Sequence, residues 1–194
     1  MEKMDFLIEK IEKEGGVQEP DIIKVDGFIN HQLDIKLLNQ IGKEFQRRFG
    51  SLKIDKILTI EASGIAIASI TAQYFDYVPV VFAKKAPIDS PEDSRFFESK
   101  AFSFTKKIES KIRVSKKFLK KNENVLILDD FLAHGNATNC LMDMVKQAEG
   151  NVVGVGVVIE KGFQDGGKLL RKMGINLESL VIVEKIENGK LFYK

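Results

Sequence analysis

The chain has no tryptophan, one cysteine, two histidines and four prolines in 194 residues. A lone Cys140 excludes an internal disulfide framework and suits a reducing compartment. Cys140, His31 and His134 together are too few for an ordinary zinc site. Apolar runs such as Val152 to Ile159 are far too short to cross a bilayer. The opening segment MEKMDFLIEKIEKEGG mixes charges with apolar residues, so it reads as neither a signal peptide nor a membrane span. Charge of one sign is also missing: 30 basic and 28 acidic residues leave a net +2, which points to no nucleic-acid or membrane partner. A basic run, KKFLKK, reads as a solvated turn. The expectation is a cytoplasmic protein folded as a single domain over 1–194.

What is present is a repeated strand–helix–strand pattern. Met4, Leu7, Ile8 and Ile11 share one helical face, and Gly15-Gly16 stops that helix. The stretch DIIKVDGFINHQLD is irregular. Asp34 then caps a helix whose buried stripe is Ile35, Leu38, Ile41, Phe45 and Phe49. A strand over Ile54–Ile60 runs into the small-residue turn Glu61-Ala62-Ser63-Gly64 and a helix from Ile65 to about Tyr77. VPVVFA is the next strand. Lys84 to Lys100 lacks periodicity and reads as a long mobile loop. AFSF and KIESKIRV suggest an antiparallel excursion. NVLILDD, a helix over Ala137–Glu149, VVGVGVVIEK, a short helix near Lys168–Lys172, SLVIVEKI and an Asn188-Gly189 hairpin turn complete the chain. Fully apolar strands joined through helices indicate an α/β fold with a parallel central sheet flanked by helices.

In such sheets ligands bind beyond the carboxyl ends of the strands. Three ends carry chemistry. VLILDDFLAHGNAT delivers Asp129 and Asp130, then a glycine-containing loop, Ala133 to Ala137, opens a helix whose amides and dipole suit a phosphate. By itself this could equally be an acid pair beside a routine capping turn. Ala62, Ser63 and Gly64 let backbone amides approach an anion, or simply pack closely. Lys161 ends a third strand, where it could donate to a carbonyl oxygen or be solvated.

Four segments, KVDGFINHQLD, KILTIEASGIA, VLILDDFLAHGNA and VVIEKGFQ, occur in the order found in bacterial xanthine phosphoribosyltransferases, and the sequence resembles that family over nearly its whole length. The resemblance implies a type I phosphoribosyltransferase fold with a small N-terminal hood (about 1–33). It places Asp129 and Asp130 on the ribose hydroxyls of phosphoribosyl pyrophosphate. Ala133, His134, Gly135, Asn136 and Ala137 would hold its 5-phosphate. Ala62, Ser63, Gly64 and Lys84, or its neighbour Lys85, would lie on the pyrophosphate. Ile23, Asn30 and Lys161 would lie on the purine. It further implies Mg²⁺ arriving with phosphoribosyl pyrophosphate and no metal held by protein ligands alone. Xanthine, or less well guanine, would be the acceptor, and the assembly a homodimer.

Ala133 stands where hypoxanthine-guanine phosphoribosyltransferases carry an aspartate thought to handle the purine proton. Its absence favours an acidic base such as xanthine. His134 replaces the usual Thr or Asn and reads as projecting outward. The alternatives are a transferase preferring another purine and a non-catalytic regulator sensing phosphoribosyl pyrophosphate on the same fold, although 194 residues leave little room for an added DNA-binding domain.

Overall fold

Alternate residues of the strand Asn124–Leu132 face opposite cores, which shows how the fold is layered. Leu126 and Leu128 pack into one buried cluster, Val125 and Ile127 into another. A strand buried on both faces must be covered by helices on both, hence its continuous apolar run. The computed structural model describes residues 4–18, 20–91, 93–103 and 108–194. Glu92 of the expected loop, and Phe104 and Lys107 of the expected alternating stretches, lie outside the described residues.

In chain order, α1 (Asp5–Glu14) buries Leu7 and Ile11, and a two-stranded ribbon, β1 (Gly16–Gln18) and β2 (Ile22–Lys24), follows. A π-helical turn over Asp26–Asn30 buries Phe28 and Ile29. Asp34 caps α2 (Ile35–Phe49) as its composition predicts, accepting from the Leu37 amide at 3.0 Å. Ile35 departs from the predicted stripe: at the first helical position it stays 52% exposed, while Leu37 is buried instead. β3 (Lys56–Ile60), α3 (Ser63–Ala72), β4 (Val80–Ala86), β5 (Phe96–Ser103), β6 (Ile108–Ser115), β7 (Asn124–Leu132), α4 (Asn136–Gln147), β8 (Asn151–Lys161), α5 (Gly166–Lys172), β9 (Leu177–Glu187) and β10 (Lys190–Tyr193) follow.

The eight-stranded sheet has the order β10-β9-β8-β7-β3-β4-β6-β5. The five strands β9 to β4 are mutually parallel. β10, β6 and β5 extend it antiparallel at the two sides. α2 and α3 cover one face and α4 the other. Gly154 and Gly156 of β8 are fixed by this cover. A Cβ at either would lie 2.6 Å or 2.7 Å from the rings of Phe49 and Phe45. Parallel strands bring the ends of β3, β4, β7 and β8 to one rim.

Two expectations need correction. The segment Lys84 to Lys100 is not one long loop. β4 runs on to Ala86 and β5 starts at Phe96, leaving 87–95 between them. Lys84, Lys85 and Ala86 pair with Arg113, Ile112 and Lys111 of β6. The antiparallel partner, not local propensity, makes these polar residues a strand. The helix after EASG also stops at Ala72, short of Tyr77. The chain there turns through positive φ at Asp76 and Tyr77.

Candidate active site

β7 ends inside the protein, so its two carboxylates are held differently. Asp129 is only 5% exposed. The Asp130 amide donates to Asp129 Oδ1 at 2.9 Å, and the Phe131 amide to Asp130 Oδ1 at 3.0 Å. Burial, and then the neighbouring Asp130 charge, push the Asp129 carboxyl well above its ordinary range; the Lys85 charge opposes them. The Lys85 backbone is also tied to the neighbouring turn, since its amide donates to Glu61. Lys84 lies instead over the Phe82 ring, 5.7 Å from its centroid.

The turn after β3 meets the same carboxylate. A Cβ on Gly64 would sit 2.0 Å from Thr59 Oγ1 and 3.5 Å from Asp129 Oδ1. Only glycine lets the start of α3 approach β3 and β7 so closely. The Thr59 hydroxyl beneath it is fully buried and has no hydrogen-bond partner among the described residues. The Glu61–Ala62 peptide is cis. Glu61 accepts the Lys85 amide at 2.7 Å, tying this turn to β4. Ala62 and Ser63 leave small side chains at the α3 N-terminus, where backbone amides can face an anion.

The loop opening α4 is shaped by Gly135, whose φ of +82° is left-handed and favours glycine. Its back rests on α5. The Gly166 amide donates to the Ala133 carbonyl at 3.1 Å, and a Cβ at Gly166 would lie 2.4 Å from that oxygen. His134 is not simply outward. Its Nδ1 lies 2.9 Å from Asp165 Oδ1, and this contact holds the Asp165 carboxyl below its ordinary range. Sequence reasoning missed Asp165, because the partner sits 31 residues away on another connection. Asn136 and Ala137 form the first turn of α4, half-buried.

At the end of β8 Lys161 is half-buried and donates to the Asp21 carbonyl at 2.6 Å, so it reaches the N-terminal segment that carries Ile23. Burial lowers its ammonium pKa. Gln164 reaches the same residue, donating to Asp21 Oδ2 at 3.3 Å. Ile23 is 6% exposed and pairs with Val17. Asn30 ends the π-helical turn exposed, and among the described residues no hydrogen bond joins it to Lys161. The adjacent Glu160 is buried and held by Arg171 at 2.8 Å and 2.7 Å and by the Ser179 hydroxyl. Burial would raise its carboxyl pKa, but these bonds outweigh it and hold it below the usual range.

Among the described residues no three His, Cys, Asp or Glu side chains converge on a metal position, and no helix is long and apolar enough to cross a membrane. The rim therefore offers amides at two helix starts, a carboxylate pair between them, and a lysine at each side. This suits a phosphorylated sugar better than a bare metal.

Comparison with known proteins agrees. Residues 31–172 match the phosphoribosyl transferase domain family. This chain belongs to that family. Among its relatives, xanthine phosphoribosyltransferase 1 of Clostridium perfringens is 59% identical over 191 residues, covering 98% of this chain and 100% of that protein. The xanthine phosphoribosyltransferase of Clostridioides difficile is 56% identical over the same shares. In fold, the chain is similar to the adenine phosphoribosyltransferase of Leishmania tarentolae. That match has a TM-score of 0.74 at 15% identity and covers 94% of this chain and 89% of that one. The Rhodothermus marinus adenine enzyme matches with a TM-score of 0.71 at 19% identity, covering 92% and 99%. The α/β phosphoribosyltransferase fold read from the sequence is the one observed.

Proposed function

We infer that this protein is a purine phosphoribosyltransferase. It joins xanthine, and guanine less well, to 5-phospho-α-D-ribose 1-diphosphate, releasing diphosphate and forming the nucleoside monophosphate. The observation that carries this is the 59% identity, end to end, with a xanthine phosphoribosyltransferase. The chemistry of the rim supports it.

A purine nitrogen attacks the anomeric carbon as the bond to diphosphate breaks, so positive charge develops on the ribose and negative charge on the leaving group. Ala133 to Ala137 hold the 5-phosphate through backbone amides. Asp129 and Asp130 orient the ribose hydroxyls and face the developing positive charge. Ala62, Ser63, Gly64 and Lys85, more than Lys84, take the leaving diphosphate. Asp130, at the edge of the carboxylate pair, is the side chain that would meet a Mg²⁺ ion bound to the diphosphate, which would supply charge neutralisation. Lys161 donates to the 6-oxo group, under a hood that brings Ile23 and Asn30 over the base. With Ala133 in place of a carboxylate, no acid–base residue stands beside the base at that position. An acidic purine that reacts as its anion suits such a site. A homodimer in the cytoplasm is part of the same reading.

Nucleotide formation from a panel of xanthine, guanine, hypoxanthine and adenine with phosphoribosyl pyrophosphate and Mg²⁺ tests it. Xanthine should give the highest kcat/KM, and Lys161→Met should lower it at least about tenfold, the worth of a hydrogen bond from a charged donor. Absence of product with any base would refute the transferase, and preference for adenine would refute the role of Lys161.

A further inference from the structure

The connection from β8 to α5 holds a second polar group besides Lys161. The Gln164 amide closes a turn onto the Lys161 carbonyl at 2.9 Å, and Gly162 is pinned to the Val183 carbonyl at 2.7 Å. The two side chains therefore leave a fixed loop and meet at one residue of the N-terminal segment. Lys161 Nζ bonds the Asp21 carbonyl, and Gln164 Nε2 bonds its carboxylate. A carboxylate only accepts, so this second bond sets which way round the Gln164 amide lies. Its other end, Oε1, is buried and accepts no hydrogen bond among the described residues. Burying an unused carbonyl oxygen costs about 1–3 kcal/mol. Such a group, on the same short connection as Lys161 and tied to the same Asp21, calls for a donor that the described residues do not supply.

We propose that Gln164 is a specificity-determining residue that accepts the N1–H of a 6-oxopurine through Oε1, beside the 6-oxo group held by Lys161. The proposal rests on the purine-transferase reading above. An ammonium donor next to a carbonyl acceptor complements the O6/N1–H edge of xanthine, guanine and hypoxanthine. A 6-aminopurine presents the reverse, N–H donors towards Lys161 and a bare N1 towards Oε1, and loses both bonds. Sites that pair a substrate's polar edge in this way reject a mispaired analogue by far more than a hydrophobic pocket can. Asp21 is a positioning residue here, because it holds the amide in the accepting orientation.

The test is a cycle of kcat/KM values for xanthine and 1-methylxanthine, which lacks N1–H, with wild-type protein and Gln164→Leu. Gln164→Leu should lower the value for xanthine about tenfold or more, leave that for 1-methylxanthine within about threefold, and leave KM for phosphoribosyl pyrophosphate unchanged. A second variant guards against misfolding. Asp21→Asn/Gln164→Glu reverses donor and acceptor between the two residues while keeping an oxygen towards the base, and it should retain xanthine activity within about threefold of wild type. Equal losses on both bases in Gln164→Leu, or loss of xanthine activity in the double variant, would overturn the proposal. If Lys161→Met abolishes xanthine use while Gln164→Leu is flat, the proposal fails alone. If Lys161→Met changes nothing, the base-site reading fails first.

Discussion

Replacing Gly64 with alanine adds one methyl group at the point where β3, β7 and α3 come closest. The new Cβ would lie 2.0 Å from Thr59 Oγ1, 3.3 Å from Thr59 Cβ and 3.5 Å from Asp129 Oδ1. A carbon and an oxygen sit comfortably at roughly 3.3 Å or more, so more than an ångström must be found. Thr59 cannot give it. It is fully buried on the central strand β3, so turning its Cβ hydrogen towards residue 64 would press both the hydroxyl and the methyl into packed neighbours. The start of α3 must move out instead. Overpacking of this kind costs about 1–3 kcal/mol, and in a chain of this size each kcal/mol lowers Tm by about 2–4 °C. The larger effect falls on catalysis. On the proposed reading, in which these amides receive the diphosphate, a shift of about 1 Å should lower kcat/KM for phosphoribosyl pyrophosphate about a hundredfold. Steady-state kinetics and thermal melts of Gly64→Ala, Thr59→Ala and the double variant measure both. Thr59→Ala alone removes a hydroxyl that bonds nothing, leaves only a small cavity and should cost about 1 kcal/mol. In the double variant the closest remaining atom of residue 59 is its Cβ at 3.3 Å, so much of the activity should return, a clear departure from additivity. Gly64→Ala within threefold of wild type, or a double variant as impaired as the single one, would refute the reasoning.

Asp129→Asn should lower turnover about tenfold or more, while Tm stays level or rises. Asp129 has its folded pKa raised, so its stabilising neutral form is fully present at low pH and lost as pH rises through the folded value. The Tm of the asparagine variant relative to wild type should therefore grow as pH rises above the ordinary carboxylate value of 3.8, and a relative Tm that falls over that rise would contradict this. Arg171→Ala removes the bidentate partner of buried Glu160. It should cost about 2–3 kcal/mol at neutral pH, below the value for a fully buried pair because Arg171 is 41% exposed. Glu160 has a depressed folded pKa, so that contribution is present above its unfolded value near 4.5 and lost as pH falls through the folded one. The gap in Tm should close in acid, and a gap equally wide at pH 4 would show that Glu160 is not its source.

Much of the candidate site's backbone was legible because strand, turn and helix-start signals are local. NVLILDD reads as a two-face buried strand, and it is one. Asp34 caps α2 because the N-cap bond spans only three residues. The pairings of the site were not legible. Thr59 lies beneath Gly64, Asp165 meets His134, and Asp21 meets both Lys161 and Gln164, each from a different part of the chain. The polar strand Lys84–Ala86 was hidden for the same reason, since its partner β6 lies more than 20 residues downstream.

The sequence by itself determined the strand–helix alternation, the acid pair near the end of β7, which runs two residues beyond it, and the glycine at the α4 turn, because propensity, periodicity and left-handed φ are properties of neighbouring residues. Only the tertiary structure decided that Asp129 is buried while Asp130 stands at the edge, that Lys84 lies over the Phe82 ring, and that the Gln164 carbonyl is buried. Burial and charge depend on what other strands bring alongside, and that information is spread along the whole chain.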